Sequence, residues 1–185
     1  MNIMRSDCVL LIVDIQDRLI HTIAEHAAVV QNVRTLIKAA KVLDVPILAT
    51  EQEKLGTTVP ELRALLGAPP FRKVSFSCCG DLSFMSELKS SGNKTVIVCG
   101  IETHICIVQT VLDLLKQSFV VLVVRDATSS HGIIDRETAL ARMRDSGATL
   151  TTTEAIIYEL TEKSGTELFR KILDIVKEKR ATCPT

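Results

Sequence analysis

Three residues of this chain have the types and positions needed for nucleophilic chemistry. Cys106 lies in "VIVCGIETHICIVQT" (96–110), just past a glycine that closes an apolar run; Asp14 ends the run "LLIVD", and Lys73 sits in "FRKVSF". A thiol attacks once a base has taken its proton, and an acid must then protonate the leaving group. One carboxylate does both in turn, and an ammonium beside it holds the carboxylate and favours the thiolate. A cysteine opening a helix would also meet free N–H groups and the positive end of the dipole. With a nearby ammonium, that setting lowers a thiol pKa from about 8.5 to about 3.5–7.5. The same N–H groups would stabilise negative charge on an attacked carbonyl oxygen.

Each residue also has a plainer reading. Asp14 could be a cap or turn residue, Lys73 a solvated surface group, and Cys106 a small apolar residue facing a sheet. The combination argues against these. An Asp set deep against an apolar strand needs partners, and Lys73 is flanked by Phe71, Val74 and Phe76. No G-x-S-x-G elbow accompanies them, which speaks against an α/β-hydrolase.

The elements that must carry these residues alternate along the chain. Buried-strand runs are expected at 8–16, 45–51, 94–100 and 119–127, with a short strand inside 69–78 and a last one after 148. Helical periods are expected over 22–43, 58–66, 81–92, 103–117 and 135–147, then in "TEAIIYEL" and over 166–180. Asp81 and a Thr before "EAII" look like N-caps, Pro60 suits a first turn, and Gly92 a helix stop. Strand–helix alternation of this kind predicts an α/β domain with a mainly parallel sheet, whose ligands bind beyond the carboxyl ends of the strands. The whole chain, 1–185, reads as a single domain without linker or repeat.

Composition narrows the function. Lys plus Arg and Asp plus Glu balance at 22 each, so no nucleic-acid or membrane-surface partner is expected. Little repulsion opposes self-association, and a homo-oligomer acting on a small-molecule substrate is expected. The apolar runs fall well short of the roughly 18 residues that span a membrane, and "MNIMRSD" lacks a signal-peptide apolar region. A cytoplasmic location follows, with a mitochondrial one left open. Of the six cysteines at 8, 78, 79, 99, 106 and 183, Cys8 and Cys99 read as core residues, and no disulfide framework or zinc spacing is evident.

Asp14, Lys73 and "GIETHICIVQT", with "EQEKLGTTVPEL" and "DATSSHGIIDRETALARMRDSGATLTTTEAIIYEL", resemble the isochorismatase-like cysteine hydrolases, in particular a subgroup of uncharacterised members. The resemblance implies a three-layer α/β/α fold with a Rossmann-like sheet and a catalytic triad of Asp14, Lys73 and Cys106. It implies a cis peptide between Ile101 and Glu102, aiming the N–H groups of Glu102 and Cys106 at one oxyanion. It further implies cleavage of a C–N, amide-type bond through a thioester. The nicotinamidase branch holds zinc through an Asp-x-His…His set, but "ATEQEK" (49–54) has no His, so neither a metal nor another cofactor is expected. His21 and His26 read as exposed, and His104 as turned away from Cys106. Gln16, Gln52 and Thr103 are substrate-binding candidates, although Gln16 and Gln52 could be loop or surface residues and Thr103 an N-cap. A weakly active binding or assembly protein and a redox-sensing thiol are the competing readings, the latter requiring a resolving cysteine.

Overall fold

The computed structural model describes residues 3–182. Six strands, β1 (Cys8–Val13), β2 (Ile47–Gln52), β3 (Phe71–Lys73), β4 (Thr95–Ile101), β5 (Val120–Ser129) and β6 (Thr149–Thr151), form one sheet in the order β3-β2-β1-β4-β5-β6. Every pairing is parallel. The helices are α1 (His26–Val42), α2 (Pro60–Arg63), α3 (Leu82–Ser90), α4 (Val108–Lys116), α5 (Ile133–Asp145), α6 (Thr153–Thr161) and α7 (Glu167–Thr182).

β1 and β4 are buried at every position, as the continuous apolar runs demand of strands covered on both faces. Cys8, Leu10 and Ile12 pack with side chains of α1, α6 and α7. Val9, Leu11 and Val13 pack on the other face with α3, α4 and α5. These are the three layers expected. Cys8 and Cys99 are core residues, as their setting suggests, while Cys183 lies outside the described residues. Among the described residues no helix is long and apolar enough to cross a membrane.

The chain runs from β1 outward through β2 to β3, then restarts beside β1 with β4 and runs the other way. The switch point therefore lies between β1 and β4, where a crevice opens at the carboxyl ends. Gly100 makes this junction possible. It pairs with Val13 at φ 125, and a Cβ there would overlap the Val13 backbone.

The local signals act largely as read. Asp81 Oδ1 accepts the Phe84 N–H at 2.8 Å, and Gly92 turns the chain at φ 74. Thr152 Oγ1 accepts the Ala155 N–H at 3.4 Å. The first helix departs from expectation: it starts at His26, and Ile20–Thr22 forms a separate 3₁₀ turn. The Ala24 N–H donates to the Ser130 carbonyl at 3.0 Å, which ties this segment to the end of β5 instead of to the helix. β5 itself runs two residues beyond its expected end. Its register against β4 slips between Val98 and Gly100, which pair with Val123 and Thr128. The resulting bulge sets Thr128 and Ser129 beside Gly100 and Ile101 at the end of β4, a usual place for a bulge to re-aim side chains.

Candidate active site

Asp14 is the first residue past β1. It takes a left-handed backbone conformation, φ 52, which Asp tolerates better than most residues. Its N–H donates to the Thr50 carbonyl at 3.2 Å, and its carboxylate is fully buried. Two neighbours make that burial tenable. The Thr50 hydroxyl donates to Oδ1 at 2.7 Å. Lys73 Nζ stands 2.7 Å from Oδ2, with neither side chain exposed. This contact is an ion pair rather than a well-directed hydrogen bond, so Oδ2 keeps room for another donor.

Lys73 ends β3 and extends into the interior. Its Nζ also donates to Gln52 Oε1 at 2.7 Å and to the Phe76 and Ser75 carbonyls at 3.1 and 3.3 Å. Burial alone would lower the pKa of this ammonium. The Asp14 charge works against it, joined by Cys78 and Cys106, and the balance lies above the ordinary value. Lys73 is therefore a fixed cation at neutral pH.

Cys106 lies in a π-helical turn, Thr103–Ile107, that precedes α4. Its side chain packs with the core and is 7% exposed as a residue. Here the sequence expectation needs correction. Burial pushes the Cys106 thiol up to about 12, the Asp14 charge adds to the rise, and Lys73 only partly opposes it. The sulfur sits inside a packed turn, not at a solvated helix mouth, and carboxylate and ammonium offset each other there, so desolvation decides. The resting group at position 106 is therefore a neutral thiol.

The peptide between Ile101 and Glu102 is cis. The Glu102 carbonyl accepts the N–H groups of Ile105 and Ile107 at 3.1 and 3.2 Å. Thr110 Oγ1 donates to the Cys106 carbonyl at 2.7 Å and accepts the Cys78 N–H at 2.9 Å, bracing the turn from α4.

The pocket candidates divide. Gln16 is fully buried and uses its amide on backbone: Nε2 donates to the Gln52 and Gly56 carbonyls at 3.0 and 2.9 Å, and Oε1 accepts the Gln52 N–H at 2.8 Å. Gln52 orients Lys73 and donates to the Val74 carbonyl at 2.7 Å. Thr103 is no N-cap, since Glu102 holds that position without a side-chain bond. Its buried hydroxyl has no partner among the described residues. His21 is exposed and His26 half-buried. His104 Nδ1 lies 2.9 Å from Ser130 Oγ, and the His131 N–H donates to Glu102 Oε2 at 2.9 Å. A cavity of about 520 Å³ opens between Asp17, His26 and Pro60, and none of Asp14, Lys73 or Cys106 lines it. Among the described residues no three His, Cys, Asp or Glu side chains converge enough to hold a metal ion.

Sequence reasoning passed over Thr50, Cys78 and Thr110. Thr50 was within reach of it: Thr50 pairs with Val13 on the neighbouring strand, so aligning the ends of the first two apolar runs brings it beside Asp14. Nothing in the spacing of Cys78 points to the site.

The chain is similar to several known proteins in sequence and in fold. The family profile described as "Isochorismatase domain" matches residues 8–155. Isochorismatase domain-containing protein 2A of Mus musculus is 42% identical over 180 residues, covering 95% of this chain and 85% of that protein. Among solved structures, MAR1 ribonuclease of Caenorhabditis elegans superposes with a TM-score of 0.90 at 35% identity, covering 96% of this chain and 93% of that one. The YcaC gene product of Escherichia coli, described as an octameric hydrolase of unknown specificity, gives 0.87 at 26% identity, with coverages of 98% and 96%.

Proposed function

The chain belongs to the isochorismatase family of hydrolases, and we propose that it cleaves a C–N, amide-type bond of a small molecule through a thioester on Cys106. One observation carries the reading: a fully buried carboxylate, held by an ammonium 2.7 Å away, keeps its Oδ2 without a hydrogen-bond partner among the described residues. Asp14 Oδ2 takes the thiol proton as sulfur bonds to the carbonyl carbon. The carbonyl electron pair moves to oxygen, where the N–H groups of Glu102 and Cys106 stabilise it. Collapse breaks the C–N bond, and Asp14 returns the proton to the departing nitrogen. Water then attacks the thioester, Asp14 takes its proton, and the sulfur leaves and recovers it, which closes the cycle without a metal or redox partner. Lys73 holds the Asp14 carboxylate in place between steps. Thr103, with its unpartnered hydroxyl, is the pocket residue best placed to bind a polar substrate group; Gln16 and Gln52 shape the site through backbone and Lys73.

Self-association belongs to this reading. Val74, Phe76, Leu82, Ile133 and Ile134 are exposed apolar residues on a chain of zero formal net charge, and a structural neighbour is an octamer. The test is a screen of small amides and ureides with wild type beside Cys106→Ser, and a single-stranded RNA included because of the activity named for the Caenorhabditis elegans neighbour. The expected result is amide hydrolysis lost in Cys106→Ser, with intact-mass detection of an acyl adduct on the wild type. Hydrolysis undiminished by the substitution refutes the covalent route. Cleavage of RNA alone refutes the substrate class.

A further inference from the structure

Thr50 and Cys78 stand against Asp14, yet the cycle above assigns them nothing. Thr50 Oγ1 lies 2.7 Å from Asp14 Oδ1 and 3.7 Å from Cys78 Sγ, with all three side chains buried. A threonine hydroxyl has one proton to give, and an ionised carboxylate only accepts. That proton is therefore committed to Oδ1, and the second contact must run the other way, with the Cys78 S–H donating to Thr50 Oγ1. Cys78 has the proton: burial, aided by the Asp14 charge, pushes its thiol up to about 12. The position of Cys78 is fixed in turn by Thr110, whose hydroxyl accepts the Cys78 N–H and donates to the Cys106 carbonyl. The chain of contacts begins on the turn that carries Cys106 and returns to the carboxylate.

We propose that Thr50 and Cys78 are positioning residues that saturate Asp14 Oδ1, so that Oδ2, on the Lys73 side, is the oxygen that exchanges a proton with Cys106. The inference rests on reading Asp14 as the acid–base group. The charged and titratable groups facing Asp14 are Lys73 from β3, Cys106 from the π turn and Cys78 from the segment before α3; Thr50, from β2, is uncharged and supplies only a directed proton. With Thr50 gone, either carboxylate oxygen can face the thiol. The carboxyl also loses a donor that favours its ionised form, so it holds a proton to higher pH.

The experiment follows alkylation of Cys106 by iodoacetamide, read by peptide mass, from pH 3 to 10. It needs no substrate, so it stays readable whatever the enzyme hydrolyses. Thr50→Val is expected to move the acid limb of the rate profile upward by about one pH unit, the scale of one hydrogen bond to a charged group. Thr50→Ser, which keeps the hydroxyl, should restore the wild-type limb. Cys78→Ala should give a smaller shift in the same direction, reversed by Cys78→Ser. A Thr50→Val profile superimposed on wild type, or a shift that Thr50→Ser fails to reverse, overturns the assignment. Asp14→Asn separates the two levels of the argument: only the featureless rise with pH of a thiol pushed up to about 12 should remain, and if the inflection in the acid range persists without a titratable group at position 14, the acid–base reading fails, and the positioning inference with it.

Discussion

Replacing Lys73 by methionine keeps most of the side-chain volume and removes the charge. In the folded protein this strands a fully buried Asp14 carboxylate, whose remaining donor is Thr50. It also leaves Gln52 Oε1 and the carbonyls of Ser75 and Phe76 without the ammonium they share. Removing one partner of a buried ion pair costs about 3–5 kcal/mol. For a chain of this length that corresponds to a fall in Tm of about 6–20 °C. The double variant Asp14→Asn, Lys73→Met strands no charge, so at least about 2 kcal/mol of the loss should return, a non-additivity that a double-mutant cycle reads directly. The assay is urea unfolding of wild type, both single variants and the double variant at pH 7, with thermal melts in parallel. Additive losses, or a Lys73→Met protein melting within about 2 °C of wild type, would refute the claim that this pair is bound together away from water.

Three further outcomes are expected. The thiols of Cys78 and Cys106 ionise near 9 when unfolded but are pushed up to about 12 in the fold, so their stabilisation is whole below pH 9 and drains away as pH rises towards 12. Each contributes a slope of up to about 1.4 kcal/mol per pH unit, with Lys73 acting in the same direction from about its ordinary 10.5. Urea midpoints from pH 8 to 10 should fall less steeply in Cys78→Ala, and an unchanged slope would contradict the buried, protonated thiol. Gly100→Ala forces a Cβ into the Val13 backbone between the two central strands, whereas Gly92→Ala meets open space at a similarly left-handed φ. The first should lose about 3 kcal/mol or more and the second only about 1, and equal losses would show that the β1–β4 junction yields. Asp126 Oδ1 accepts both the N–H and the hydroxyl of Thr153, at 2.7 and 3.0 Å; Asp126→Ala should cost about 1–3 kcal/mol and speed amide exchange in the first turn of α6, and exchange at the wild-type rate would count against that anchor.

The strands that the sequence marks most plainly are those with no polar interruption, β1 and β4, because burial on both faces leaves only one kind of residue to choose. Asp14 and Cys106 stand out against such runs for the same reason. Lys73 was harder to read: β3 is three residues long, too short to show a period, and only its aromatic flanks gave it away. The spacing of Ile23, Ala27 and Val30 already follows the helical period and so places the start of the first helix at 22, while a long-range hydrogen bond from Ala24 to Ser130 sets the backbone there. The ionisation of Cys106 departs from the sequence expectation for a related reason. Sequence locates charges and helix starts, but how much water reaches the sulfur depends on the side chains packed with it in the fold. Thr50 and Cys78 act through contacts that exist only once β2 and the segment before α3 have been laid beside β1.

The slip in β5 sets four residues of that strand, Val124–Ala127, against one of β4, Cys99, with matched pairs on either side. Such slack behaves like a buckle. Residues added or removed within the loop it makes would change where Thr128 and Ser129 sit at the carboxyl end of the sheet, while the pairs at Val98 and Gly100 keep both strands anchored. Descendants of one ancestral chain would thereby have a place to refashion what the crevice admits without rebuilding the sheet beneath it.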